Sequence, residues 1–179
     1  MSRAFVREDD QERHEDVPEI RIPLPQGARN YMTPAGAEQL QNELHELVSS
    51  ERPKLTARVA RLAIGGDGSD ADGSRLRLRK IDRRVEYLSR MAALLEVIDP
   101  AQQSSDKIMF GATVVVSDTR ESQRTYKIVG VDESNPEQGK ISWASPVARA
   151  LVGARVDDDV TVALPGGESH LKVNKIDYR

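Results

Sequence analysis

Three aspartates, Asp67, Asp70 and Asp72, fall within six residues of one another in the stretch Gly65-Gly66-Asp67-Gly68-Ser69-Asp70-Ala71-Asp72-Gly73-Ser74, with no lysine or arginine between them. Hard carboxylate oxygens grouped in this way suit Mg²⁺ or Ca²⁺. The spacing is not that of an EF-hand. With Gly73 at the sixth loop position, Gly68 takes the first ligand position and Arg79 the place of the bidentate glutamate. Composition alone favours a plainer reading, in which Gly, Ser and Asp are good turn formers and the segment is a breaker-rich loop between two helices. Around it the charge is opposite. Between Arg52 and Arg90 stand eleven basic residues, among them Arg75, Arg77, Arg79, Lys80, Arg83 and Arg84, against five acidic ones. Charge runs on exposed helices usually mean solvation, but cationic shafts behind an anionic tip also suit steering a phosphate backbone towards divalent ions. Tyr87 is the one aromatic residue in this region, so base stacking is not indicated.

Other chemistries drop out. The chain of 179 residues has no cysteine, which removes disulfides, thiolate metal sites and a cysteine nucleophile, and His14, His45 and His170 are too dispersed for a zinc cluster. Neither a P-loop, a dinucleotide fingerprint nor a G-x-S-x-G elbow occurs, and Ser69 has no histidine nearby in sequence to activate it. The apolar runs are far shorter than the roughly 18 residues of a membrane span, and the N-terminus lacks the apolar stretch of a signal peptide. A soluble cytoplasmic protein with no membrane partner is expected. The net charge of −3 predicts no general affinity for nucleic acid.

The elements that must position these residues are marked by caps and periodicity. Residues 1–30 are polar and charged, with Pro18, Pro23 and Pro25, and read as a flexible arm. Thr33-Pro34 opens a helix, with Thr33 as cap and Pro34 at its first position. Leu40, Leu44 and Leu47 lie on one face, Pro53 interrupts, and Leu55, Val59 and Leu62 resume the face with a shift, so a kinked or restarted helix to about Ile64 is expected. Leu78, Ile81, Val85, Leu88, Ala92 and Leu95 form a heptad seam for a returning antiparallel helix. Asp99-Pro100 stops it. Segments Ile108 to Val116, Thr125 to Val131, Lys140 to Trp143, Val160 to Leu164 and Ser169 to Ile176 read as strands, with one short helix capped by Ser145 and ended by Gly153. The fold class is therefore α+β, organised as an arm over 1–30, an antiparallel helical hairpin (coiled coil) over 31–99, a linker over 100–106 and a small α+β domain over 107–179.

Several short motifs resemble those of the bacterial Gre transcript-cleavage factors, in order and spacing. They are Met32-Thr33-Pro34-Ala35-Gly36, Glu51-Arg52-Pro53, Gly66-Asp67, Ile81-Asp82-Arg83-Arg84-Val85, Phe110-Gly111-Ala112-Thr113-Val114, Ile128-Val129-Gly130, Ser145-Pro146-Val147-Ala148-Arg149-Ala150-Leu151 and Pro165-Gly166-Gly167-Glu168. The basic shaft with its I-D-R-R-V run looks more like the GreB branch than GreA. The resemblance implies a coiled coil that enters the secondary channel of RNA polymerase and an FKBP-like C-terminal domain that docks on the polymerase, with no isomerase role for that fold.

It also implies that the protein is not itself an enzyme. An Asp and a Glu at the family's tip help to hold the second Mg²⁺ of the polymerase active site, which activates the water that cuts the backtracked RNA. Carried onto this chain, Asp67 matches the Asp and Asp70 stands at the Glu position. Asp72 could compensate as a substitute ligand, or the loop could simply occupy the channel. The partners implied are RNA polymerase and the RNA 3′ end of the backtracked transcript, contacted by the outward members of the basic shaft, with the protein a monomer. The Mg²⁺ is shared with the polymerase, and the free protein is expected to bind none. The tip departs from the family pattern, since the Asn of the motif has no counterpart, Gly73 or Ser74 replaces its Tyr, and the returning arm is about three residues short. The alternative implied function is a non-cleaving regulator that occupies the channel.

Overall fold

The computed structural model describes residues 21–65 and 68–178, and side chains outside 65–69. Glu43–Arg90 form one compact unit, and Pro23–Asn42 together with the chain from Met91 form another.

Strand β1 (Asn30–Met32) runs directly into helix α1 (Pro34–Glu46). Thr33 caps that helix as its sequence predicts, its Oγ1 accepting from the Gly36 N–H at 3.1 Å. Leu47–Glu51 then widen into a π-helical turn, in which the Arg52 N–H donates to the Leu47 carbonyl, and α2 continues over Arg52–Gly65. Pro53 explains the wide turn. Its ring has no N–H to donate and would clash with the carbonyl four residues back, and the i−5 register moves that carbonyl aside. The expected interruption is thus a change of helical register rather than a break.

Helix α3 covers Gly68–Ala93. It begins inside the stretch read from composition as a loop, so that reading is corrected for residues 68–74. Ala71 and Ser74 are both buried and precede Leu78, Ile81, Val85 and Leu88 at alternating steps of three and four. They extend the heptad seam, and this pattern overrides the local preference of Gly, Ser and Asp for turns. At the other end α3 stops at Ala93. Leu95, expected as the last seam residue, instead opens strand β2 (Leu95–Val97), which pairs in parallel with β1 through Asn30–Leu95, Tyr31–Glu96 and Met32–Val97. Asn30, placed at the end of the arm by composition, is fully buried and its Nδ2 donates to the Met91 carbonyl at 3.1 Å.

The remaining chain makes a five-stranded sheet ordered β5-β4-β3-β7-β6, from β3 (Thr113–Asp118), β4 (Gln123–Val129), β5 (Lys140–Ser142), β6 (Asp159–Leu164) and β7 (Gly167–Asp177). All pairings are antiparallel except β4–β5, and β3–β7 shifts register at Val115/Val116. Five strands were expected. The first begins later than its apolar run suggests, because Ile108 to Ala112 form a turn, buried at Ile108, Gly111 and Ala112, in which Gly111 has φ +84°. Helix α4 (Pro146–Leu151), capped by the Ser145 hydroxyl, seats Ala148 and Leu151 among Val114, Val116, Ile128, Val162 and Val173.

A single carboxylate joins two ends of this second unit. Glu133, in the 3₁₀ turn that crosses from β4 to β5, accepts from the Thr33 N–H at 3.0 Å, the Gly130 N–H at 2.9 Å and the Thr33 hydroxyl. A Cβ at Gly36 would lie 2.2 Å from the Glu133 Cδ, and one at Gly130 would lie 2.6 Å from Oε2. Two of the Gre-like motifs, M-T-P-A-G and I-V-G, therefore meet on this carboxylate.

Candidate functional site: the acidic tip and basic shaft

Two ion pairs fix the helical arms against each other. The Arg84 guanidinium forks onto Glu43, with Nε to Oε1 at 2.6 Å and Nη2 to Oε2 at 2.8 Å, and Arg52 Nε meets Asp82 Oδ1 at 2.6 Å. From Glu43 to Arg52 the first arm advances while its partners retreat from Arg84 to Asp82, so the arms run antiparallel. The hydrogen-bonded Arg84 holds the Glu43 carboxyl below its ordinary value against the opposing effect of burial. Both side chains remain about two-fifths exposed, so the pair contributes under about 1 kcal/mol and acts chiefly on register.

At the tip, the two described aspartates separate. Asp67 lies outside the described residues. Asp70 is exposed in the first turn of α3, where the positive end of the helix dipole favours a carboxylate. Asp72 is also exposed, but its Oδ1 receives the Arg75 Nη1 at 3.0 Å. Two helical steps of about 100° put Asp70 and Asp72 on nearly opposite faces, so they do not point at one ion. Among the described residues no group of three acidic or histidine side chains could hold a metal. Among the described residues Asp70 is the open carboxylate of the tip, a donor that suits an ion whose remaining ligands come from another molecule.

The shaft divides as well. Arg75 is committed to Asp72 and Arg84 to Glu43, with its guanidinium also 5.3 Å from the Tyr87 ring centroid. Arg77, Arg79 and Lys80 are exposed and Arg83 is half-buried, and among the described residues no carboxylate pairs with any of the four. Arg77 and Lys80 share a groove of about 440 Å³ with Lys54 and Arg58 of α2, floored by Leu55 and Ile81. Sequence reasoning counted Lys54 and Arg58 as bases without placing them on this groove, and it passed over Glu43 and Glu133. A carboxylate a hundred positions from Thr33 leaves no local sign beyond the small residues that make room for it.

In the other unit an apolar corner of about 340 Å³ is lined by Tyr31, Phe110, Trp143, Arg149 and Val152. Tyr31 meets the edge of Trp143 at 5.5 Å between ring centres and tilts against Phe110 at 6.2 Å.

Both halves of the chain match known proteins. A family model described as "Transcription elongation factor, GreA/GreB, C-term" matches residues 102–178, and one described as "Transcription elongation factor, N-terminal" matches residues 30–97. The chain is 43% identical over 153 residues to transcription elongation factor GreB of Yersinia pestis, an alignment covering 84% of this chain and 90% of that protein. It belongs to the GreA/GreB family of transcription elongation factors. Within the family it is GreB-like, being also 39% identical over 155 residues to GreB of Neisseria meningitidis serogroup B, with 84% of this chain and 94% of that one covered. Transcription elongation factor GreA of Syntrophotalea carbinolica is 41% identical over 151 residues, covering 82% and 96%. Among solved structures, the GreA factor homolog 1 (Gfh1) of Thermus thermophilus is 22% identical, covers 83% of this chain and 99% of its own, and has a TM-score of 0.40. Among the described residues of this GreB-like factor no helix is long and apolar enough to cross a membrane.

Proposed function

We propose that this GreB-like factor binds RNA polymerase, inserts its helical hairpin into the secondary channel as a coiled coil, and stimulates the polymerase's own cleavage of backtracked RNA. The observation that carries the reading is Asp70, exposed in the first turn of α3, with Arg77, Arg79, Lys80 and Arg83 behind it, none of the five having an ion-pair partner among the described residues. Asp70, together with Asp67 three positions earlier in the chain, would help to hold a Mg²⁺ ion that belongs to the polymerase. Such an ion supplies an activated water at an RNA phosphate. The chain's own tasks are to bring a carboxylate there, to set its direction by a helix and to guide the anionic transcript along the shaft. In this reading the factor has no activity alone, acts as a monomer, binds no metal when free, works in the cytoplasm, and docks by its C-terminal FKBP-like domain, whose Phe110 and Trp143 form with Tyr31 an apolar surface of the kind that docking uses.

A second reading has its own observation. Asp72 is tied to Arg75 and faces away from Asp70, and α3 is already helical at Gly68, so the tip offers fewer open carboxylates than its composition suggests. A factor with such a tip could fill the channel and modulate transcription without cleavage. The two are separated by adding the protein to a stalled, backtracked elongation complex from the same organism. Shortened RNA that can be re-extended supports the first reading, and inhibition without shortening supports the second.

A further inference from the structure

The shaft and the N-terminal arm carry opposite charges of similar size. Residues 8–19 (EDDQERHEDVPE) hold seven carboxylates against Arg13, and the stretch from Arg52 to Arg90 holds eleven bases against five acids. These two segments dominate the charge pattern of a chain whose net charge is only −3. We propose that the acidic segment 8–19 of this chain docks on its own basic groove, lined by Lys54, Arg58, Arg77 and Lys80, as an intramolecular competitor of polyanions.

Three observations support this assignment. The groove is open and cationic, with Arg58, Arg77 and Lys80 lacking any ion-pair partner among the described residues and only Lys54 paired, to Glu51 at 3.5 Å. Its geometry suits an extended acidic strand. Lys54 and Arg58 are four residues apart on a helix, a rise of about 6 Å. Glu8, Asp10 and Glu12 alternate along the chain, and in an extended segment such positions repeat every ~6.6 Å on one side. The segment is also long: twenty residues precede Arg21 in the sequence, and an extended segment of that length reaches up to about 70 Å. Because the groove is open to solvent, the contact depends on salt, whose Debye length falls from about 10 Å at 0.1 M to about 3 Å at 1 M. The assignment is independent of the cleavage reading, since it concerns only what occupies the groove when no polymerase is present.

The absence of cysteine makes the test clean. A nitroxide on Ala57→Cys, an exposed position on α2 beside the groove, reports on the backbone amides of residues 8–19 in the full chain. At 50 mM salt those amides should be broadened within one molecule, should recover at 0.5 M salt, and should recover when Arg58, Arg77 and Lys80 are all replaced by Gln. Unbroadened amides at low salt would overturn the proposal. So would broadening that arises only when spin-labelled and isotope-labelled chains are mixed, which would mean that a second copy occupies the groove. In a separate measurement, Glu8→Gln, Asp9→Asn, Asp10→Asn and Glu12→Gln together should tighten binding of a 12-nucleotide oligouridylate. Exposed ion pairs are each worth up to about fivefold in an equilibrium, so a gain of about tenfold is expected. An unchanged affinity would contradict competition by the arm.

Discussion

Gly36→Ala measures how far this fold depends on the Glu133 carboxylate. The three atoms nearest to a Cβ at position 36 all belong to Glu133, at 2.2, 2.4 and 2.6 Å, so the side chain must leave. It then gives up the Thr33 N–H, the Gly130 N–H and the Thr33 hydroxyl. Hydrogen bonds to a charged group contribute about 1.5–3 kcal/mol each. Because the site is only partly buried and water recovers some of that, a net loss of about 3 kcal/mol is expected for the three together. For a chain of this length about 2–4 °C accompany each kcal/mol, so the melting temperature should fall by roughly 6–12 °C. Glu133→Ala should cost a similar amount. The double variant should cost no more than Glu133→Ala alone, because the shortened side chain lacks the three atoms that the new methyl would meet, and the coupling energy is then about 3 kcal/mol. Urea titrations of the four proteins, checked by calorimetry, supply the cycle. The reasoning is refuted if Gly36→Ala is neutral, if it gains the ~1 kcal/mol by which helices prefer Ala to Gly, or if the two substitutions simply add.

Two further outcomes follow from particular contacts. Arg84 lowers the Glu43 pKa from its usual 4.5, so the pair's contribution is complete above that value and is lost as the pH falls through the folded value. Glu43→Gln should therefore flatten the acid limb of stability between pH 5 and pH 3, and parallel acid limbs for the two proteins would contradict the pairing. Gly111 has φ +84° and a Cβ there would lie 2.7 Å from the Pro100 ring, so Gly111→Ala should destabilise by about 2–3 kcal/mol in the same urea assay. Equal stability would show that the turn at Phe110-Gly111 adapts freely.

What could be read from the sequence was what depends on neighbours in the chain. Thr33-Pro34 and Ser145-Pro146 announce their helices because a cap bonds to amides only three residues on. The seam from Leu78 to Leu88 and the alternating strands are visible for the same reason. The parallel pair β1–β2 was not legible, since it joins three residues at Asn30–Met32 to three at Leu95–Val97 and neither is long enough to show a period. Residues 68–74 were misread because Gly, Ser and Asp carry a strong local signal for turns. Ala71 and Ser74 show their helical role only when the seam is extended backwards from Leu78. At the candidate site the bases were legible as a group. Their division into Arg75 and Arg84, which are paired, and Arg77, Arg79, Lys80 and Arg83, which have no carboxylate partner among the described residues, needed the positions of Asp72 and Glu43 in space.

The central claim is that one open carboxylate at the start of α3 serves the cleavage reaction, and a comparison of Asp70→Asn with Asp72→Asn tests it most directly. Cleavage rates are measured on one backtracked polymerase complex at saturating factor, with polymerase affinity measured alongside. The account predicts that Asp70→Asn loses about a hundredfold or more of the stimulation at unchanged affinity, the scale expected when a positioned group is lost or displaced. Asp72→Asn, which only frees Arg75, should stay within a few-fold of the unaltered protein. Full cleavage by Asp70→Asn, or a larger loss from Asp72→Asn than from Asp70→Asn, would contradict it.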